Sequence, residues 1–448
     1  MLRQACTQRP APLRRPSVVS LFTGAGGLDI GLEQAGFRIV AATDCDRDCI
    51  HTLRHNQLSS ISIPGQRGRK YLHGTKIIEA DIRTVHPSEL LANDADLFWA
   101  PDLLCGGPPC QPFSSAGNMK ALSDPRGRLF EHFVRIADAL RPRYILFENV
   151  RGLVTAIGPK GIPGEAIALV REAFEDIGYA TTFALLNAAD YGVPQRRVRC
   201  FMLGTRAGHL PDFPRPTHTA APLRADRAGL KPHVTLHKFL ARFPVVEDSE
   251  IARPSPSLAE QLASLPPGSG IKSAGAREAT RPGGHWGYKQ GTFVADPQLP
   301  ARTVTAATSQ DWIRMPDSSL RRLSLREVAG LQGFPSQWEF VGGSASRFRQ
   351  VGNAVPVAFG RVLGEAILST LNRPQPVEAP VSRPFPAAFT ESINYTIREH
   401  RANKASRDRV RELTRVGHAV TDIKGLGAQD GHRHREASVT LPLWSSEM

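Results

Sequence analysis

The chain has 448 residues, 41% hydrophobic and 22% charged, an ordinary globular composition with room for one large domain and a smaller one. Its net charge of +14 fits a polyanionic partner such as nucleic acid and fits equally a merely basic protein. No apolar run approaches 18 residues, the Pro-rich start has no signal-peptide core, and six scattered cysteines have neither disulfide-framework nor zinc spacing, which excludes a membrane span, a disulfide-stapled secreted domain and a metal centre and fits a reducing cytoplasmic setting.

Residues 1–16 read as a disordered basic arm. "SVVSLF" (17–22) predicts a strand that breaks into "TGAGG". In the following "LDIGLEQAGF", Leu28, Leu32 and Ala35 share a helical face and Gly36 ends the helix. A strand over 38–44 and a second helix, "DRDCIHTLRHN", come next. Further strands are predicted at 76–82, 102–107, 143–150, 180–188 and 198–206, with helices at 127–141 and 165–177. Apolar strands alternating with helices predict an α/β fold, a mixed but mostly parallel sheet with helices on both faces.

The alternation fails after about residue 214. Residues 215–300, rich in Pro, Gly, Arg and His, predict a smaller domain with little regular structure. Helical patterns return at 323–335 and 354–371. Beyond Arg373, five prolines by residue 386 and a charged stretch predict a disordered tail over 374–448.

"FTGAGG" follows a strand and opens a helix, where glycines let a ligand approach the backbone. Gly24 and Gly26 fit the dinucleotide fingerprint, but position 29 is Asp, a carboxylate that would compete with a pyrophosphate for the helix start. Asp44 ends the next strand twenty residues after Gly24, the usual place for an acid that binds ribose hydroxyls. Asp81 ends the third strand and is placed to meet the base. A ribose and a base without a pyrophosphate point to an adenosine cofactor. S-adenosyl-L-methionine fits, because carboxylates favour its cationic sulfonium. The structural alternative is a plain strand-to-helix turn.

"LLCGGPPCQPFSSAG" (103–117) puts Cys110 just past a strand, at the carboxyl edge where open α/β sheets bind ligands. Pro108 and Pro109 fix the approach to this thiol. A buried small hydrophobe is the alternative for any lone cysteine, and Cys105 inside the strand is assigned to it. Glu148 ends the "FENV" strand at the same edge, where a raised pKa would let it donate a proton. Arg197 and Arg199 lie two apart on one strand face with Gln195 before them, a pair suited to a phosphate or a pyrimidine carbonyl.

Eight blocks in order, "FTGAGGLDIGLEQAGF", "DLLCGGPPCQPFSSAG", "DPRGRLF", "FENVRGL", "YGVPQRRVRCFMLG", "RPTH", "RRLSLREVAGLQGFP" and "RQVGNAVPVAFG", resemble the DNA (cytosine-5)-methyltransferases over roughly 17–218 and 300–371. The resemblance implies a Rossmann-like catalytic domain over 17–218 that binds S-adenosyl-L-methionine, a target recognition domain over 219–320, and helices over 321–373 that return to the catalytic domain. It makes Cys110 the nucleophile that attacks C6 of a flipped cytosine and Glu148 the acid at N3, with Arg197 and Arg199 holding base and loop. Phe22, Thr23, Gly24, Gly26, Gly27 and Leu28 would form the first wall of the cofactor pocket. Asp44, Cys45, Asp81 and Ile82 would form the second, and Pro108, Leu129, Asn353 and Val355 would complete it. Gln111, Ser114, Gln195 and Arg302 would touch the substrate. No metal is implied.

Two features depart from the family pattern. Cys45 stands where many members have an aromatic or apolar residue, and the stretch 57–75 is long. "ARTVTA" (301–306) resembles a short stretch common near the end of the recognition region. The implied partner is double-stranded DNA, read in the major groove by a monomer that sits with the nucleoid, with a cognate restriction endonuclease as a further candidate. RNA methylation by the tRNA-modifying branch is disfavoured, since no cysteine follows Cys200 to supply that branch's Cys-Phe-Thr. A catalytically dead relative would lack the thiol or the glutamate, and a chromatin-linked maintenance enzyme would carry long upstream domains where about 16 residues stand here.

Overall fold

The structure, a computed structural model, describes residues 15–91, 100–109, 129–220, 229–244, 246–273, 291–374 and 378–398. Its centre is a seven-stranded sheet: β1 (Ser17–Leu21), β2 (Arg38–Asp44), β3 (Lys76–Glu79), β4 (Leu103–Gly106), β5 (Tyr144–Val150), β6 (Ala180–Asn187) and β7 (Val198–Thr205). The strand order is β3-β2-β1-β4-β5-β7-β6. β3, β2, β1, β4 and β5 are parallel, and β7 runs antiparallel to both β5 and β6. The chain winds outward in opposite directions from β1 and β4, so a crevice opens past their carboxyl ends. β1, β2 and β4 are buried on both faces, as their unbroken apolar sequences require.

Helices α1 (Gly27–Ala35), α2 (Arg47–Ser59), α3 (Leu129–Leu140) and α4 (Glu165–Asp176) follow β1, β2, β4 and β5. α3 and α4 cover one face, where Phe133, Phe147 and Phe174 meet edge to face. α1 covers the other through Leu28 and Leu32. The 57–75 stretch is a folded cover in which Tyr71 is fully buried and the Leu72 amide donates to Glu33 Oε2 at 2.9 Å.

The region after residue 214 has more regular structure than its sequence predicts. It holds β8 (His218–Thr219) paired with β9 (Lys231–Pro232), then α5 (Leu236–Leu240) and α6 (Pro256–Ala263). A four-stranded sheet follows: β10 (Ser269–Gly270), β11 (Phe293–Val294), β12 (Trp312–Arg314) and β13 (Leu320–Arg322). Strands of two or three residues are too short to show alternation, which is why the pattern is silent there. Leu262, Val294, Trp312 and Leu320 form their core, with Arg322 stacked 4.3 Å over Trp312. β13 crosses the expected boundary at 320/321.

The chain then returns through α7 (Leu325–Leu331), α8 (Ser344–Asn353) and α9 (Val357–Leu371). α9 lies on α1 at very close range: a Cβ on Gly31 would stand 2.1 Å from the Val357 carbonyl, and one on Gly360 2.3 Å from that of Leu28. The stretch Ser344–Leu371 is long and apolar enough to cross a membrane by composition, but it bends at Ala354–Pro356 and is more than half buried in the protein.

The predicted disorder of 374–448 is corrected over 378–398. The Arg383 amide donates to the Thr181 carbonyl at 2.9 Å, Phe389 is 1% exposed, and residues 387–398 form a helix, α10. Three apolar residues four apart, Phe385, Phe389 and Ile393, pack against the core and offset the cost of ordering the segment.

Candidate active site at the carboxyl edge of the sheet

Between β1 and α1 the backbone turns sharply. Phe22 has φ +53° and Gly24 φ +54°, a conformation that costs a bulky residue about 1–3 kcal/mol. Fixed hydrogen bonds hold it. The Thr23 amide donates to the Thr43 carbonyl at 3.1 Å and the Gly24 amide to Asp44 Oδ2 at 2.8 Å. Ser20 Oγ donates to Asp29 Oδ1 at 2.6 Å, and Thr23 Oγ1 donates to Asp29 Oδ2. Asp29 is fully buried, and burial pushes its pKa up to about 6. It therefore clamps the turn from inside and does not face an anion site, as its place in the first helical turn had suggested.

Asp44 also accepts from the Asp46 amide at 2.8 Å, and burial raises its pKa. A cavity of about 260 Å³ opens beside it. Six of the residues expected around a cofactor line this cavity: Phe22, Asp44, Cys45, Asp81, Ile82 and Leu129. Asp81 sits in the turn two residues past the end of β3, forked by Arg83 at 2.5–3.0 Å, and this side-chain bond lowers its pKa. Thr43, Ala80, Arg83 and Pro109 line the cavity as well, none of them expected around a cofactor from the sequence.

The remaining expected pocket residues are not among those that line this cavity. Gly27 and Leu28 are buried in α1, with Gly27 against the Val355 carbonyl and Leu28 in the core. Asn353 is exposed at the end of α8, Val355 is half-buried behind Gly27, and the Pro108 carbonyl accepts from Asn149 Nδ2 at 3.3 Å. Gly26 packs against Leu53 and Trp338.

β4 ends in the Gly107–Pro109 turn. Cys110, Gln111 and Ser114 lie outside the described residues. Cys105 is fully buried inside β4. Beside the turn stands Glu148, 9% exposed near the end of β5. Its Oε1 is 3.1 Å from Arg199 Nε, and its Oε2 would be 2.5 Å from a Cβ on Gly107. Burial raises the Glu148 pKa, opposed first by the charge of Arg199 and then by that of Arg197.

The two arginines do different work. Arg199 faces Glu148. Arg197 is 2% exposed and donates from Nη1 to the Val304 carbonyl at 2.9 Å and from Nη2 to the Gly352 carbonyl at 2.7 Å. Gln195 is fully buried. Its amide nitrogen donates to the Leu331 carbonyl and to Gln332 Oε1, and its oxygen accepts from the Val304 amide at 2.9 Å. With its amide so engaged, Gln195 joins the segment before β7 to those around Leu331 and Val304. Arg302 pairs with Asp311 at 3.3 Å and lies 3.9 Å over the Phe293 ring. "ARTVTA" thus runs beside 194–197, with the Arg196 amide donating to the Ala301 carbonyl at 2.8 Å.

A larger groove, about 550 Å³, lies between α3 and α4. Among the described residues it is lined by Phe130, Val134, Leu169 and Ala173 together with the carboxylates Glu131, Glu172 and Asp176. The smaller cavity is lined by residues at the carboxyl ends of β1, β2 and β3 and by Pro109 of the turn after β4.

The family profile described as C-5 cytosine-specific DNA methylase matches residues 17–369. The Type II methyltransferase M.FnuDI of Fusobacterium nucleatum is 31% identical over 374 residues, covering 79% of this chain and 94% of that protein. The Type II methyltransferase M.NgoFVII of Neisseria gonorrhoeae is 31% identical over 364 residues, 80% of this chain and 87% of that protein. Among solved structures, a DNA modification methyltransferase encoded within an E. coli prophage covers 80% of this chain at TM-score 0.57 and 21% identity, over 100% of its own length. The Dnmt2 methyltransferase of S. pombe does the same at TM-score 0.53 and 19% identity, over 100% of its length. At those identities the two structures speak for the fold alone.

Proposed function

We propose, from the premise that this chain belongs to the C-5 cytosine-specific DNA methylase family and is a DNA (cytosine-5) methyltransferase, that it methylates C5 of a flipped-out cytosine in duplex DNA as a Type II modification enzyme using S-adenosyl-L-methionine. The observation that carries the mechanism is the placing of Glu148. It is buried, held 3.1 Å from Arg199, and pressed against the Gly107 turn that leads to Cys110.

The 260 Å³ cavity suits the cofactor. Phe22, Ile82 and Leu129 offer apolar surface to an adenine, Asp44 and Asp81 offer acceptors to ribose hydroxyls and the base, and their charge favours a sulfonium. Bound there, the cofactor supplies an electrophilic methyl group on a cationic sulfur.

C5 of cytosine is a poor nucleophile. Addition of the Cys110 thiolate to C6, with a proton from Glu148 to N3, gives an enamine-like ring that is nucleophilic at C5. Burial raises the Glu148 pKa and so favours the protonated carboxyl that donates to N3, and Arg199 takes up the carboxylate once the proton is given. After C5 receives the methyl group, loss of the C5 proton and elimination of the Cys110 thiolate restore the aromatic ring. The base lies inside the duplex stack, so extrusion costs a few kcal/mol, offset by phosphate contacts. Residues 219–320 supply base reading, and a cognate endonuclease would share the target sequence.

Duplex DNA with 5-fluorocytosine at the target cannot release its C5 substituent as a proton. Incubated with the protein and S-adenosyl-L-methionine, it should give a covalent complex that survives denaturing electrophoresis and disappears in Cys110→Ser. Bisulfite sequencing of DNA from expressing cells supplies the target. A Cys110→Ser protein with full activity would refute the nucleophile.

A further inference from the structure

Thr43 stands one residue before the end of β2, and in sequence it is an ordinary strand threonine. Its surroundings are not ordinary. The residue is 1% exposed, and its Oγ1 has no hydrogen-bond partner among the described residues. Other buried threonines are paired: Thr52 Oγ1 donates to Gln350 Oε1 at 2.7 Å, Thr75 Oγ1 to the Ile39 carbonyl at 2.7 Å, and Thr205 Oγ1 to the Arg143 carbonyl at 3.1 Å. A hydroxyl buried alone forfeits the hydrogen bonds it made in water, so a native state keeps one at a cost in stability.

Strand register explains why the protein supplies no partner. Thr43 is paired with Leu21 of β1 and with Ile78 of β3, so its side chain shares their face of the sheet, and neither neighbour can hydrogen-bond it. The Thr43 carbonyl accepts from the Thr23 amide at 3.1 Å, which holds the backbone in place. Phe22, Ile82 and Leu129 belong to the same apolar cluster as Leu21 and Ile78, and with Thr43 they line the cavity of about 260 Å³. Of the buried side-chain nitrogen and oxygen atoms without a partner among the described residues, Thr43 Oγ1 alone belongs to a residue that lines either cavity.

We propose that Thr43 is a further cofactor-binding residue, whose hydroxyl hydrogen-bonds the adenosine part of the methyl donor on the side of its base. The assignment rests on the cavity being the cofactor site. Phe22, Ile82 and Leu129 give the base its apolar surface, and Thr43 stands on their face of the sheet. A hydroxyl can donate to a ring nitrogen or accept from an amino group, and adenine carries both. The unpaired hydroxyl then gives up stability in the empty protein and returns it as affinity. A threonine kept only for its β-branched shape would be matched or bettered by valine.

The test uses the full chain, with calorimetric dissociation constants for S-adenosyl-L-methionine and S-adenosyl-L-homocysteine and melting temperatures of the unligated protein. Thr43→Val keeps the shape and deletes the hydroxyl. Its affinity for both ligands should fall about 10-fold, the worth of one hydrogen bond, while its melting temperature rises by about 1–3 °C. Thr43→Ser keeps the hydroxyl and deletes the methyl group, so affinity should stay within about 2-fold of wild type while the melting temperature falls. A general loosening of the fold would move stability and affinity in the same direction. Thr43→Val binding both ligands as tightly as wild type would overturn the assignment. So would a loss confined to S-adenosyl-L-methionine, because the two ligands share the adenosine and differ in charge at sulfur. A wild-type protein that binds neither ligand would overturn the cofactor reading itself, so the two failures are distinguishable.

Discussion

Gly107→Ala separates positioning from folding. Gly107 does not occupy the left-handed backbone region, so alanine needs no change in backbone. The added methyl would stand 2.5 Å from Glu148 Oε2, while an ordinary carbon–oxygen contact is about 3.3 Å. The carboxyl must retreat by about 0.8 Å, and since it is the far end of a flexible side chain the cost in stability is small, about 1 kcal/mol. The cost in rate is larger. A displacement near 1 Å at a proton donor is worth about 100-fold, or about 2.7 kcal/mol of barrier. The assay is transfer of labelled methyl groups to DNA at saturating substrate and cofactor, with calorimetry alongside. The expected result is kcat down about 100-fold with the melting temperature nearly unchanged. Glu148→Gln should lose about 10²–10⁴-fold, and the two changes together should cost less than their product, because they act on one proton. Wild-type kcat in a folded Gly107→Ala protein would refute the role given to Glu148.

Arg199→Gln removes the cation that opposes the raised pKa of Glu148, so the proton is held to higher pH, and the alkaline limb of the kcat profile should move up in pH; an unmoved limb contradicts the pairing. Gly31→Ala gains about 1 kcal/mol of helix propensity but drives a methyl to 2.1 Å from a backbone oxygen, so a net loss of about 2 kcal/mol and several degrees of melting temperature is expected. At Gly343 the methyl meets open space, and the same change should stay within about 1 kcal/mol, the cost of an altered N-cap. Burial pushes Glu33 up to about 8, so the folded state holds this proton more tightly than the unfolded one, and the stability it contributes is full below about pH 4.5 and lost as pH rises towards 8. Glu33→Gln should shrink that decline in urea midpoints between pH 5 and 8.5, and an identical decline would place the effect elsewhere. Phe389→Ala should destabilise by about 3–5 kcal/mol, measured by urea unfolding, whereas a dispensable tail predicts no change.

The chain order of the central strands and helices was legible in the sequence, as was the carboxyl edge at which Asp44 and Glu148 stand. β1, β2, β5 and β7 declare themselves by continuous apolar runs, α1 by Leu28 and Leu32 with Gly36 after them, and Asp44 and Glu148 by ending strands. These signals are local, because periodicity and chain punctuation act over a few residues. Tertiary structure alone decided what Gln195 and Arg197 do. Their partners, Leu331, Gln332, Val304 and Gly352, are more than a hundred residues away, and a strand residue looks the same in sequence whether its side chain meets a ligand or another segment's carbonyl. The same holds for Gly31, which needs its hydrogen only because α9 arrives from the far end of the chain, and for Phe389, an aromatic in a Pro-rich stretch until α4 and β6 offer it a place. Burial is a property of what else is nearby, and no window on one segment contains the segment that will cover it.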